Sequence, residues 1–503
     1  MRRTLATRAL PATLAGIAVS LIAPGIASAD TLEAAGNGLF TQSAGLNTLW
    51  VMVAACLVFF MQAGFLLLEL GFSRGKNAGT LVAKILVNLS IASLGFWAVG
   101  FAFAFGAPAW DSFNVIGGTG FLLRDFGDPA TAFPVMGIFD VTVEAKFFFQ
   151  FAFCAVSLAI VWGSTLERIK FGVYVMYAIV FSTIIYPIGA HWVFGGGFLQ
   201  NGDWLGLGIV GMQDFAGSTA VHLIGATGAL AALLLLGPRK GKYGPDGKPR
   251  AIPGHNMPLF GLGVIILWLG WFGFNGGTAL SALDGRFPEI IVVTNLAAAC
   301  GVLACTFVSF LMSKTIDIGM AGNGAIAALV GITAPSGYVE AWAAIPIGLV
   351  AGGMVPIFVA LIDKKVDDPV GVLTVHGLAG VWGTIACGLF TAPRLAQYNA
   401  FGSPDGGLFY SWSFDQLIAQ VVGFCITFGF VFVLSYLTFF IIKKTYGLRV
   451  TEEEEDAGLD ITEHGMYGYP EQFIPAPELI GYSPSLGVPT SSAAPTSKEV
   501  PAT

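Results

Sequence analysis

Two histidines set in apolar sequence carry the chemistry most worth following. In DFAGSTAVHLIGATGALAALLLLGPRK, His222 sits eight residues after Asp214; in DPVGVLTVHGLAGVWGTIACGLF, His376 sits eight residues after Asp368. Gly217 matches Gly371 and Val221 matches Val375 in the same register. An ionisable side chain inside an apolar run of membrane-spanning length is costly unless it faces a cavity or a partner, so each histidine marks a pathway or a relay. Imidazole suits a relay because one ring nitrogen can donate while the other accepts.

The spacing converts to depth. If each aspartate caps a helix at the membrane surface, eight residues at about 1.5 Å each place its histidine roughly 12 Å in. Two such helices entering a core about 30 Å thick from opposite faces would bring the imidazoles within a few ångströms of each other near the midplane.

Composition defines the elements that must hold this pair. The chain has 503 residues, 55% hydrophobic and 11% charged, and its mean hydropathy is +0.76. That balance predicts an all-α polytopic membrane protein and excludes a string of soluble domains. Residues 1–29, with Arg2, Arg3, Arg8, an apolar stretch and Ala27-Ser28-Ala29, read as a secretory signal peptide, a signal anchor being the alternative. Asp30 would then begin an external segment, 30–45. Without those three arginines the charge goes from −7 to −10, and residues 451–503 hold −9 of it as ten acids against one lysine, which leaves the membrane body near neutral. No nucleic-acid footprint exists. The six cysteines lie in apolar spans without metal or redox spacing and read as small buried hydrophobes. No nucleophile–base arrangement, metal spacing or phosphate loop is present, so neither an enzyme nor a cofactor is expected.

Apolar runs of about 20 residues fall near 46–71, 79–105, 142–164, 171–191, 214–236, 257–280, 288–312, 319–335, 341–362, 369–391 and 414–442, which predicts eleven transmembrane helices. With an external N-terminus, sixteen Lys and Arg flank the inner ends, Lys84 among them, against Arg124, Lys146, Arg286 and Arg394 outside. Helices one to five and six to ten then form two inverted five-helix repeats plus a final helix, so the two histidine helices enter from opposite sides. That is a transporter build with a midplane site. Glu69 reads as a residue that pairs or snorkels at the inner interface, and His191 as an interfacial structural histidine. Asp140, Glu144 and Lys146 read as an outer-surface charge cluster. Residues 443–503 form a cytoplasmic tail, with 443–473 charged enough to dock on the inner face and the chain disordered from about 475.

Aromatic clusters in EAKFFFQFAFCA, HWVFGGGF and WLGWFGFNGGTA lie towards the outer ends of their helices, where ring faces could hold a small cation. Together with SRGKN, LERIKFG, VDDPVGVLTVHG and GLRVTEEEEDAGLDITEHG, this ordered series, from residue 46 to about 470, resembles the ammonium transporter family of Amt, Mep and Rh proteins, the Amt branch most closely. The resemblance implies an eleven-helix protomer in the plasma (inner) membrane of a bacterium. It further implies a homotrimer in the lipid bilayer with one pore per subunit, ammonium as the transported ion and a cytoplasmic PII-type signal protein as a partner. It assigns His222 and His376 to the pore pair, Phe153 and Phe274 to a stacked phenyl gate, and Asp214, Phe153, Phe194 and Thr278 to an outer ammonium site. Asp368 would cap the inner-end helix. The family usually has Ser where this chain has Thr278, and Trp where it has Phe194. Threonine keeps the acceptor oxygen, whereas phenylalanine is the weaker cation–π partner; Trp192, two positions earlier, is a candidate to compensate. The same fold could instead serve as an ammonium sensor or as a neutral ammonia or carbon dioxide channel.

Overall fold

The computed structural model describes residues 42–474 apart from 111–113, 125–126, 137–139, 203–205, 207, 397 and 399–400. Residues 1–29, nearly all of 30–45, and the tail from 475 lie outside the described residues. Within them, ten helices are long and apolar enough to cross a membrane. In chain order, with one shorter apolar helix in eighth place, they are α1 (Gln42–Phe72), α2 (Gly75–Phe105), α3 (Val143–Gly163), α4 (Phe171–Asn201), α5 (Ser218–Leu236), α6 (Met257–Gly277), α7 (Arg286–Ser313), α8 (Ile318–Thr333), α9 (Ala341–Ile362), α10 (Leu373–Phe390) and α11 (Asp415–Thr445). The chain is a multi-pass membrane protein with ten such helices and one shorter apolar helix among the described residues. With no water in hydrocarbon to satisfy backbone groups, a helix is the only way these single runs can cross.

The helices sort by enclosure. α3, α5 and α10 are the most buried of the ten, while α9 and α11 are the least. The enclosed three carry Phe153, His222 and His376, so the chemistry sits in the middle and the remaining helices insulate it from lipid. Close approach in lipid depends on small residues. Gly301 on α7, Gly324 on α8 and Gly352 on α9 meet so tightly that a Cβ at Gly352 would lie 2.2 Å from the Gly301 carbonyl oxygen, and one at Gly324 would lie 2.7 Å from the same atom. Polar groups inside the bundle are matched across helices. Trp162 Nε1 donates to Asn88 Oδ1 at 2.8 Å, and the hydroxyls of Tyr177 and Ser435 lie 2.8 Å apart.

Two short helices of the tail, α12 (Glu452–Ala457) and α13 (Leu459–His464), lie against the loops at one end of the bundle. Asp460 accepts from the backbone amides of Gly79 and Thr80 at 2.9 and 2.8 Å and so caps the start of α2. Lys76 Nζ reaches the carbonyls of Glu455 and Asp456, and Arg449 pairs with Glu455 at 2.6 Å.

Several charged or polar residues differ from expectation. Glu69 does pair, but inside the protein and not by snorkelling: its partner is Lys84, whose side chain is also fully buried and so is not a free flanking charge. Lys146 is buried too, its ammonium on the Met136 carbonyl, and no longer belongs to a surface cluster. His191 is structural but fully enclosed, bonded to the Ala104 carbonyl and Asn114 Oδ1 at 2.8 and 2.7 Å. Cys56 and Cys425 are exposed on lipid-length helices, so only part of the cysteine set is buried. A thiol is apolar enough to face hydrocarbon, which composition alone could not distinguish from burial.

Candidate functional site

The two histidine helices begin alike. Asp214 leads through a left-handed Gly217, φ +120°, into a π-helical turn over Ser218–Leu223; Asp368 leads through Gly371, φ +78°, into another over Leu373–Leu378. Only glycine adopts these φ values without strain. A π-helical turn widens the helix by one residue per turn and recurs at functional sites. Here it swings each imidazole towards the other helix. His222 Nδ1 and His376 Nδ1 lie 3.2 Å apart, with the rings nearly parallel and their centroids 5.3 Å apart.

That contact constrains the protons. One Nδ1 donates and the other accepts, so of two neutral rings one carries its proton on Nε2 and the other leaves Nε2 free to accept. His222 Nε2 is buried and has no hydrogen-bond partner. Its ring lies flat against Trp271 at 5.1 Å, and that indole is fixed by Nε1 donating to Thr333 Oγ1 at 2.8 Å. Thr333 in turn donates to the Leu329 carbonyl.

Directly beside the pair, Phe153 from α3 and Phe274 from α6 stack with centroids 3.9 Å apart and planes 14° from parallel; Phe274 lies 5.6 Å from His222. Both phenyl rings are buried. On their far side opens a vestibule of about 70 Å³ lined by Phe153, Phe194, Asp214 and Thr278 together. The stack therefore separates the vestibule from the histidines.

Two polar groups of the vestibule are held by backbone hydrogen bonds. Asp214 spends both oxygens on backbone amides: Oδ1 accepts from Gly217 and Ser218 at 2.7 and 3.0 Å, Oδ2 from Thr219 and Ala220 at 2.8 and 2.9 Å. Those four bonds fix the position of the carboxyl group at the vestibule lining. Thr278 Oγ1 donates to the Phe274 carbonyl at 2.8 Å, which leaves its lone pairs as acceptors. Trp192 does not replace the missing cage tryptophan. Its Nε1 donates to the Val115 carbonyl at 2.8 Å and its ring packs on Phe198 and Phe430, away from the vestibule lining.

Three polar participants, Gln150, Gln200 and Asn323, were not picked out from sequence. Gln150 and Gln200 line the vestibule, and Gln150 Oε1 is buried without a hydrogen-bond partner. Gln150 precedes Phe153 by three, one helical turn, so it shares that ring's face. On the other side of the histidines a cavity of about 20 Å³ is lined by His376, Phe65, Asn323 and Glu69. Phe65 lies 6.4 Å from the His376 ring. Asp368 stands at that end too, with Oδ2 accepting from Leu373 N at 2.8 Å and Oδ1 buried without a partner.

Beyond it, the loops on the tail side are tied by charge. Arg239 holds Asp367 in a two-pronged contact at 3.0 and 2.9 Å, and Arg168 donates to the Asp367 carbonyl at 2.8 Å. Burial pushes the Asp367 carboxyl up, but the Arg239 hydrogen bond and the Arg168 and Arg239 charges outweigh it and hold it at about 2. Burial also draws the Arg168 guanidinium down to about 10 against the pull of Asp367.

An enclosed file runs between two faces of a helical bundle, from vestibule through aromatic stack to paired imidazoles and a small cavity: this is the build of a membrane transport protein. The Ammonium Transporter Family model matches residues 49–469, and the chain belongs to that family. It is 43% identical over 441 residues to ammonium transporter Amt2 of Archaeoglobus fulgidus, covering 86% of this chain and 90% of that one. With ammonium transporter 3 of Dictyostelium discoideum it shares 35% identity, over 84% and 94% of the two chains. Among solved structures it is similar to a sensor Amt protein, with TM-score 0.74 and 37% identity over 84% of this chain and 98% of that one. The Mep2 structure of Candida albicans matches at TM-score 0.71 and 29% identity, over 82% and 88%.

Proposed function

We propose that this chain transports ammonium and methylammonium by taking the ion apart and passing it as ammonia and a separate proton. The observation that carries this reading is the 3.2 Å contact between His222 and His376, placed directly behind the Phe153–Phe274 stack. Ammonium is captured in the vestibule by the ring faces of Phe153 and Phe194, the Thr278 oxygen and the carboxyl group of Asp214. Carrying it charged and dehydrated through the bundle would be prohibitive. Past the phenyl gate it gives its proton to the imidazole pair and continues as neutral ammonia. A potassium ion has no proton to give.

In this reading the vestibule faces outward and the tail lies in the cytoplasm, an orientation supported by the Lys and Arg residues crowded at the tail-side loops. A cleaved segment 1–29, an external segment 30–45, a transmembrane domain 46–442 and a tail 443–503 complete the arrangement. Three copies assemble in a bacterial plasma membrane, and the docked tail helices offer a surface where a PII-type protein could plug the pores.

A sensor that transports little is the second reading, favoured by the likeness to the sensor Amt protein. Purified protein reconstituted on a supported membrane and given an ammonium jump decides between them. A saturating current supports the transporter; ammonium binding with no current supports the sensor.

A further inference from the structure

The pair of histidines accounts for where a proton enters the file but not for where it leaves. Glu69 on α1 and Lys84 on α2 are joined Oε2 to Nζ inside the bundle, with side-chain exposures of 1% and 0%. Taking two charges out of water in this way is stabilising only where geometry is good and the remaining lone pairs are met; an apolar pair of the same volume commonly does as well or better. Here the remaining lone pairs are not met: Glu69 Oε1 is buried and has no hydrogen-bond partner among the described residues. An unsatisfied buried acceptor is a standing penalty, and an ionisable group kept inside a membrane bundle points to a role.

The cavity beside it shows what that role is. Glu69 lines the same small space as His376, on the far side of the imidazoles from the vestibule. At about 20 Å³ the space admits roughly one water. Asn323, held by its Nδ2 on the Val370 carbonyl at 3.1 Å, is the other polar side chain besides His376 and Glu69 along this wall, among otherwise apolar neighbours. Lys84 is the only charged side chain paired with Glu69 among the described residues.

We infer that Glu69 is the proton acceptor at the exit, taking the proton from the histidine pair and returning it to ammonia. The inference rests on the transport reading above. The steps balance: ammonium gives one proton to the imidazole pair and becomes ammonia; the pair, through His376 and one water in the cavity, gives that proton to Glu69 Oε1, converting carboxylate to carboxylic acid. Ammonia arriving in the cavity takes it back as ammonium, and the carboxylate is regenerated. No other species is consumed.

The test uses the full chain in the supported-membrane assay, with Glu69→Gln/Lys84→Met as the decisive variant because it removes both buried charges at once. It is expected to assemble as the wild type does and to lose at least about tenfold of the ammonium current, as removal of a proton-transfer group does, with the half-saturating concentration set in the vestibule unchanged. Glu69→Asp, one methylene short, is expected to keep a reduced current at the same half-saturation. A folded double variant with wild-type current overturns the inference and makes the pair structural. If the double variant does not assemble, Glu69→Asp decides: unchanged current per folded molecule overturns the inference, and reduced current supports it. No current from the wild type would overturn the transport reading itself, a separate outcome.

Discussion

Asp214 and Asp368 begin the same turn in two helices and finish it differently. Around Asp214 the carboxylate accepts four backbone amides and Gly217 lies close enough that a Cβ there would sit 2.6 Å from Val221. Around Asp368 one oxygen accepts from Leu373, the other is unpartnered, and a Cβ on Gly371 would clear Val375 by 3.9 Å. Asp214 lines the vestibule of about 70 Å³, whereas the cavity of about 20 Å³ on the other side of the histidines is lined by Val370 and Val372 but not by Asp368. Repeated sequence therefore starts both helices with the same turn and leaves their surroundings different; in the proposed reading one end captures the ion and the other releases it.

Substitution at the two caps breaks this comparison most sharply. Asp214→Ala strands four amides, and at roughly 1 kcal/mol each the loss is about 4 kcal/mol; Asp368→Ala removes one cap bond, about 1 kcal/mol. Thermal unfolding in detergent should show a much larger drop for the first. Equal drops would mean that the two turns are equivalent after all.

Asp367, next to the second cap, offers a smaller effect read by pH. Its carboxyl is held at about 2 in the folded protein against an ordinary 3.8. Because the folded value is depressed, its contribution is complete above about pH 4 and is lost as pH falls from there towards 2, on the order of 2 kcal/mol in all. Asp367→Asn should flatten that acid limb and lower stability near neutrality by about that amount, so that the two unfolding profiles converge as pH falls towards 2.

At the vestibule, Phe194→Trp is expected to lower the half-saturating ammonium concentration several-fold, about 1 kcal/mol of added cation–π attraction. Thr278→Ser, which keeps the acceptor oxygen, should change it by less than about twofold. A large loss from Thr278→Ser would show that the methyl group, and not the hydroxyl, shapes the site.

Much of this was legible in the sequence because hydrocarbon leaves so few options. Apolar runs of spanning length gave the helices, including the short eighth, and the paired Asp and His spacing led to the helices that meet at the centre. Direction around a helix was not legible. Trp192 and Phe194 are two apart on one turn, and only packing decides which of them lines the vestibule. The Glu69–Lys84 pair was hidden for another reason: the partners lie on consecutive helices, across a turn, so Lys84 looked like a flanking surface charge. The π-helical turns that aim both imidazoles leave no compositional mark.

The most direct test of the mechanism sets ammonium beside potassium, ions of similar size of which only one can surrender a proton. Wild-type protein and His222→Ala/His376→Ala on the same supported membrane would each receive matched jumps of both ions. The account predicts a saturating ammonium current and no potassium current in the wild type, and loss of the ammonium current or of its discrimination from potassium in the variant. Equal currents for the two ions through the wild type, or a folded variant indistinguishable from it, would contradict the claim that transport runs through deprotonation at the histidine pair.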